Sequence, residues 1–161
     1  MSSKPNALAA SVIIGVLGLA VISMADFNNL TIVPPVYAQS QTFTAKLTGN
    51  DETPPVSTAA TGTAHFQLSS DGKKLTYDLS ATNLKGFMMA HIHQGKAGES
   101  GQPVVELSMG KGTITSSDLK GPLAGKQISD LVNMIKSGGA YVNVHTQQNQ
   151  MGEMRGQIMG G

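Results

Sequence analysis

Three of the four histidines in this 161-residue chain lie in two short segments that have the residue pattern of β-strands. His91 and His93 alternate with apolar residues in the first segment, and His145 does so in the second. Successive side chains of a strand point to opposite faces, so the apolar residues would face a core and the imidazoles would face away from it. If the two strands pair, the imidazoles converge. Neutral imidazole nitrogens suit copper and zinc, and we predict a three-histidine metal site, with copper preferred.

Other side chains are additional candidates for metal binding. His65 has the same outward parity on a different predicted strand, and we interpret it as a solvated surface residue. Met89 shares the parity of His91, and Met151 precedes the last strand; their thioether sulfurs are soft ligands for copper. Methionine more often fills gaps in a core, which is the competing interpretation. The competing interpretation of the three clustered histidines is also structural, as residues that fix the glycine-rich loop at 95–101.

Arg155 is a candidate for attracting an anion such as superoxide towards a bound metal. The competing interpretation is a salt bridge to Glu153 or Asp130. Asp51, Glu52 and Glu99 lie in predicted loops and are candidates for a carboxylate site, but in a chain with only 13% charged residues we expect them to be solvated loop acids.

The composition excludes several classes of function. The formal net charge is +1 and Lys73-Lys74 is the only adjacent basic pair, so nucleic acid is not expected as a partner. The absence of cysteine excludes disulfides, thiolate zinc sites and a cysteine nucleophile. The chain also lacks the Gly-x-Ser-x-Gly motif of serine hydrolases and the glycine spacing of a phosphate-binding loop.

The N-terminal segment, residues 1–38, has the pattern of an export signal. Lys4 precedes an uncharged, mostly apolar run over residues 7–25. Polar residues follow Ala38, where we predict cleavage; the alternative is a membrane anchor with a tether through residues 26–40. Both interpretations predict an extracytoplasmic domain, either secreted or anchored at the cell surface. It would meet a membrane only through this segment, if the segment is uncleaved.

The remaining sequence has mainly the two-residue periodicity of β-strands. One helix is predicted where Ile128, Leu131, Val132 and Ile135 form a single apolar stripe, before Gly138-Gly139. Seven or eight short strands with one short helix in a late connection predict an all-β fold, an antiparallel Greek-key-like sandwich or barrel. One predicted strand begins at Phe43 and another begins at Leu75. The other predicted strands cover 63–69, 87–93, 104–107, 112–115, 141–146 and 154–159.

The chain resembles the CHRD (chordin) domain family across residues 42–159. The most specific blocks are Tyr-Val-Asn-Val-His-Thr at 141–146 and Gly-Glu-Met-Arg-Gly-Gln at 152–157, accompanied by Glu-Thr-Pro-Pro at 52–55 and Ala-His-Ile-His at 90–93. The resemblance implies a secreted or surface-exposed β-domain and implies little about activity.

Residues 43–95 also resemble the first half of copper/zinc superoxide dismutase, where a Gly-Phe-His-Val-His segment supplies two copper-binding histidines. Here a Gly-Phe pair precedes His91 and His93 with three additional residues between. His145, at the end of a Val-Asn-Val-His segment, corresponds to a later copper ligand of that family. No residues match its zinc-binding loop, so the resemblance implies a site for copper alone. Arg155 is an approximate counterpart of the family's active-site arginine, because its spacing does not align without a gap.

These observations predict an exported CHRD-domain protein with a copper site at His91, His93 and His145. Superoxide dismutation is the candidate activity. One alternative is a non-catalytic extracellular module that binds a protein or a glycan. The other is capture or delivery of copper without turnover, for which exposed methionines near the histidines would be the distinguishing feature.

Overall fold

The structure is a computed structural model that describes residues 41–161. The predicted signal peptide or anchor, residues 1–38, lies outside the described residues. Within the described part of the chain, no helix is long and apolar enough to cross a membrane.

Nine strands, one α-helix and three short 3-10 helices (Gly49–Asp51, Ser116–Asp118 and Gly121–Leu123) form the regular structure of residues 41–161. The helix α1 covers Ile128–Lys136 and lies between the sixth and seventh strands, which is the late connection that the sequence predicts. The strands are β1 (Thr42–Thr48), β2 (Thr61–Leu68), β3 (Leu75–Thr82), β4 (Phe87–Gln94), β5 (Pro103–Leu107), β6 (Gly110–Ile114), β7 (Ala140–Thr146), β8 (Met154–Gln157) and β9 (Met159–Gly160).

Eight of these strands form one antiparallel path in the order β5-β4-β7-β8-β1-β2-β3-β6, and β9 pairs with β1. The two ends of the path, β5 and β6, are consecutive in the chain, so the sheet is nearly closed. Such closure reduces the number of exposed edge strands. The predicted all-β antiparallel fold with one short helix is therefore confirmed.

The core lies inside this sheet because the strands alternate as their sequences predict. In β1, Phe43, Ala45 and Leu47 are buried, while their neighbours are exposed or half-buried. The helix adds the predicted apolar stripe to the core; Ile128, Leu131, Val132 and Ile135 are all buried. Its first turn is capped by Gln127, whose backbone N–H donates to the Asp130 carboxylate at 2.8 Å.

The C-terminal strand differs from the prediction of a single element over 154–159. Strand β8 ends at Gln157, and β9 begins at Met159. Ile158 lies between them, fully buried, and its N–H donates to the Ala140 carbonyl oxygen at 3.0 Å. The chain thus pairs mainly with β7 before this residue and with β1 after it. This change of pairing partner depends on the tertiary arrangement, and the two-residue periodicity of the sequence does not indicate it.

Candidate metal centre

The two histidine-bearing strands are neighbours in the sheet. Strands β4 and β7 pair antiparallel, with His91 opposite Asn143 and His93 opposite Tyr141. His145 lies opposite Met89. Residues directly opposite in an antiparallel pair project to the same face. The apolar residues between the histidines are buried in the core, so all three imidazoles occupy the outer face of one strand pair, as the sequence predicts.

The three imidazoles converge on one point. The ring centroids of His91 and His93 are 5.4 Å apart, those of His91 and His145 are 5.2 Å apart, and those of His93 and His145 are 5.9 Å apart. One nitrogen from each ring lies within 4.8 Å of the others. Nitrogens that bind one ion at about 2.0–2.1 Å can be no more than about 4.2 Å apart. Small side-chain rotations therefore bring all three within coordinating distance.

Hydrogen bonds on the far side of two rings fix which nitrogen is available. His93 Nδ1 lies 2.9 Å from the Gly101 carbonyl oxygen, and His145 Nδ1 lies 2.9 Å from the Gln150 carbonyl oxygen. A carbonyl only accepts, so Nδ1 of each ring donates its proton, and the lone pair is on Nε2. Carbonyl partners of this kind orient metal-binding histidines.

The nitrogens left for a metal are buried without a partner. Nε2 of His93, Nε2 of His145 and Nδ1 of His91 have no hydrogen-bond partner within residues 41–161. A buried polar atom without a partner costs about 1–3 kcal/mol, and one ligand shared by all three nitrogens would remove this cost. The site therefore offers two Nε2 lone pairs and, when the His91 proton is on Nε2, a third lone pair on His91 Nδ1; this donor set fits copper or zinc.

Burial also favours the metal-binding form of these rings. Desolvation lowers the pKa of His91, His93 and His145 below the usual histidine range. The proximity of His145 lowers the pKa of His91 further. Neutral imidazole is the form that binds metals, so the free site is prepared for an ion near neutral pH. The imidazoles are more enclosed than an outward-facing position alone would predict, with His93 and His145 only 9% and 8% exposed.

Tyr141 stacks on His93, Arg155 lies against the Tyr141 ring, and hydrogen bonds connect these side chains to the loop at residues 95–101. The His93 and Tyr141 rings are stacked, with centroids 5.1 Å apart and planes 15° apart, and the Arg155 guanidinium lies 3.7 Å from the centre of the Tyr141 ring. The Tyr141 hydroxyl accepts the Gly101 N–H at 3.2 Å, while the Gly101 carbonyl accepts from His93. A side chain at Gly101 would overlap the Gln94 carbonyl oxygen, so glycine is needed for this close approach.

Arg155 holds this loop. Its guanidinium is only 3% exposed and donates to the carbonyl oxygens of Glu99 at 3.0 Å and Lys96 at 3.2 Å. Neither salt bridge of the competing interpretation of Arg155 forms; across residues 41–161 the one ion pair is that between Lys120 and Glu106. The anion-attracting role of Arg155 stays a prediction.

The loop that supports His145 is held by Glu153. This carboxylate is 9% exposed and accepts hydrogen bonds from Thr58, Asn149 and Thr146, the last at 3.0 Å. Burial by itself would raise the pKa of Glu153, but the three hydrogen bonds outweigh it and hold that pKa below its usual range. The ionised Glu153 thereby orders the segment at 147–152, which presents the Gln150 carbonyl to His145.

The additional candidate ligands lie in different places. His65 is exposed on β2, opposite Thr44 and Asp78, and the structure does not bring it to the other three histidines. Met89 is 42% exposed on β4, and Met151 is 91% exposed, next to Gln150.

The prediction that Glu52 is solvated is wrong. This residue was expected to be a solvated loop acid, but it is only 7% exposed, and its Oε1 has no hydrogen-bond partner among the described residues. The Oδ1 of Asn143, opposite His91, is also unpartnered within residues 41–161. A Cβ on Gly152 would lie 2.5 Å from the Glu52 oxygen and 2.7 Å from the Asn143 oxygen, so the two acceptors are close neighbours.

Desolvation raises the pKa of Glu52 to about 7, against the lowering effect of the Arg155 charge. The carboxyl group is therefore largely protonated below neutral pH and able to donate a hydrogen bond. It lies beside a cavity of about 270 Å³ that Arg155 and Gln157 also line. No signal in the sequence indicated this burial, because a loop acid followed by Pro54 and Pro55 has the pattern of an exposed residue.

Fold and site together define a class of protein: an antiparallel β-domain that presents three convergent imidazoles on the outer face of one strand pair. The chain belongs to the CHRD domain family, whose family model matches residues 43–158. The predicted membership is thus confirmed. No curated protein and no solved structure matches the chain, and the more distant likeness to copper/zinc superoxide dismutase stays a sequence resemblance.

Proposed function

We propose that this CHRD domain binds one copper ion through His91 Nδ1, His93 Nε2 and His145 Nε2. The observation that carries the proposal is the set of three buried nitrogens that converge without hydrogen-bond partners in the described chain. Two of the rings are already oriented by backbone carbonyls, so binding requires little rearrangement.

The donor set and its surroundings favour copper over other ions. Three imidazoles without a carboxylate in the cluster are a poor match for magnesium or calcium, which prefer oxygen. Copper(II) binds nitrogen sites more tightly than zinc in the usual order of divalent ions. The exposed thioether of Met89, opposite His145 in the β4–β7 ladder, adds a preference for copper, because this soft ligand suits copper(I).

Copper titration tests the proposal. Residues 41–161 contain the hydrophobic core of the described chain, and a protein that spans residues 39–161 is used free of metal. We expect one Cu(II) per chain and an EPR spectrum with nitrogen hyperfine structure. His93→Ala should weaken binding more than about 100-fold, since loss of a residue that only supports a ligand already costs about 10–100-fold.

His65→Ala is the matched control, because it removes an exposed histidine outside the cluster. It should leave affinity and spectrum unchanged. Absence of binding at micromolar copper, or equal weakening by His65→Ala and His93→Ala, would refute the three-histidine site. Tighter binding of zinc than of copper, with the same histidine dependence, would refute the choice of metal.

Superoxide dismutation is a second candidate function, and the partial exposure of His91 is the observation that favours it. His91 is less buried than the other two rings, which leaves the site accessible to a small anion from that side. A bound copper would supply alternation between two oxidation states. Removal of superoxide by the copper-loaded protein, lost in His93→Ala, is the expected result. Stoichiometric copper without superoxide removal would refute turnover and support capture or delivery.

The extracytoplasmic location is part of the proposal and rests on the signal-like pattern of residues 1–38. Detection of the protein in the extracellular or membrane fraction of the cells that make it is the expected result. The alternative of a non-catalytic module for a protein or glycan stays a prediction, and copper-independent binding of either would support it.

A further inference from the structure

The start of β4 exposes three consecutive large apolar side chains beside the metal centre. Phe87 is 38% exposed, Met88 is 44% exposed and Met89 is 42% exposed. Methionine in a protein of this size usually fills gaps in the core. These methionines do not, and their location at the histidine-bearing strand pair calls for a different role.

Met89 is on the same face as the three imidazoles. It precedes His91 by two positions on β4, and it lies opposite His145 in the β4–β7 ladder. Directly opposite residues have Cβ atoms about 4.5–5.5 Å apart. Methionine has an unbranched, flexible side chain, so its sulfur can move to the His91–His145 side of the cluster.

On the other side of His91 lies a carboxylate, a hard ligand, that already forms an ion pair. Glu106 lies opposite His91 in the β4–β5 ladder, but its carboxylate forms a 2.8 Å ion pair with Lys120. Its oxygens are outside the group of converging ligand atoms. Asn143, opposite His91 in the β4–β7 ladder, offers only a hard amide oxygen, so Met89 is the neighbour that offers a soft, flexible ligand.

We infer that Met89 is a fourth ligand of the three-histidine site and that its sulfur binds copper(I) selectively. The inference rests on the proposed copper site and adds a preference for one oxidation state. Thioethers select copper(I), whereas imidazoles bind both copper(I) and copper(II). The three imidazoles would thus hold either ion, and Met89 would tighten only the reduced one.

Measured affinities for the two oxidation states test this inference. Cu(I) alone is titrated anaerobically against a competing chelator, and Cu(II) is titrated in air. Met89→Leu keeps the size and apolar character of an exposed side chain, so the fold should persist. We expect Cu(I) affinity to fall at least about 10-fold and Cu(II) affinity to change less than about twofold. The copper reduction potential should then fall by about 59 mV for each tenfold loss.

X-ray absorption gives a readout that is independent of affinity. The Cu(I) form of the parent protein should show one sulfur scatterer in addition to nitrogen, and Met89→Leu should lack it. Met88→Leu and Met151→Leu are matched controls that remove exposed thioethers from other positions. Both should retain the sulfur signal and the Cu(I) affinity.

The results separate this inference from the proposed function. A sulfur signal that persists in Met89→Leu, or equal losses in Met89→Leu and Met88→Leu, overturns the role of Met89. Such a result leaves the histidine site intact if His93→Ala still abolishes binding. Absence of copper binding by the parent protein overturns both.

Discussion

Glu52 has a buried carboxyl group, and its replacement by glutamine should change how the protein's stability depends on pH. The carboxyl is 7% exposed, lies close to the unpartnered Asn143 oxygen, and has its pKa raised from 4.5 to about 7. Each pKa unit corresponds to about 1.36 kcal/mol between the two protonation states. The ionised form of Glu52 is therefore less favourable in the folded chain than in the unfolded chain by up to about 3 kcal/mol.

The direction of the pH effect follows from the raised pKa. Below pH 4.5 the carboxyl is mainly protonated in both the folded and the unfolded chain, so its titration does not change the free energy of unfolding. Between pH 4.5 and about 7 the unfolded chain loses this proton first, so the free energy of unfolding falls as pH rises. Above pH 7 the cost is complete. Glu52→Gln has no such titration, and its amide carries N–H donors, as the protonated carboxyl carries an O–H donor, close to the unpartnered Asn143 oxygen.

Urea denaturation of the metal-free protein at a series of pH values measures this difference. We expect Glu52→Gln to match the parent within about 0.5 kcal/mol at pH 4.5. At pH 8 it should be more stable than the parent by about 2–3 kcal/mol. The gain should develop between these two pH values.

Asp51→Asn is the matched control, because it removes the same charge from the exposed neighbouring residue. An equal gain in Asp51→Asn would assign the effect to net charge. A difference between Glu52→Gln and the parent that stays constant from pH 4.5 to pH 8 would refute the reasoning, because it would mean that Glu52 does not titrate differently in the folded chain.

Three further substitutions probe the supports of the metal centre. Gly101→Ala should lower copper affinity at least about 10-fold by calorimetry, because its Cβ would overlap a backbone oxygen of the adjacent strand; Gly139→Ala, where a Cβ makes only ordinary contacts, should not. Tyr141→Phe retains the ring stack but loses the hydroxyl that accepts the Gly101 N–H, so a loss of about 3–10-fold is expected, and an unchanged affinity would contradict this supporting role. Glu153→Gln should destabilise the protein at pH 7 by about 1–2 kcal/mol in urea. Because the pKa of Glu153 is lowered in the folded chain, this loss should shrink as pH falls below the usual glutamate range, and a loss that grows on acidification would contradict the assignment.

The elements of the fold could be predicted from local patterns. Alternation along the strands indicates which side chains face the core, and the apolar stripe at Ile128 and Ile135 indicates the helix. Both depend on neighbours a few positions apart, which a single sequence displays. The split of the last strand could not be predicted, because it follows from a change of pairing partner at Ile158.

The hydrogen bonds that support the metal centre also could not be predicted from the sequence. The hydrogen bond between Gly101 and Tyr141 joins residues 40 positions apart, and the bond from Arg155 to the Glu99 carbonyl spans 56 positions. Neither the burial of Arg155 nor that of Glu52 has a local signature, because Arg155 is held by Lys96 and Glu99 and Glu52 lies close to Gly152, all distant in sequence.

The sequence by itself determined the parity of His91, His93 and His145, because side chains alternate along every strand. It also indicated the CHRD family through its specific residue blocks. Only the tertiary structure decided the register that places His145 opposite Met89 and brings the three rings within 5.2–5.9 Å of one another. Register depends on how distant segments pair, and a shift of one residue would direct these imidazoles to the opposite face.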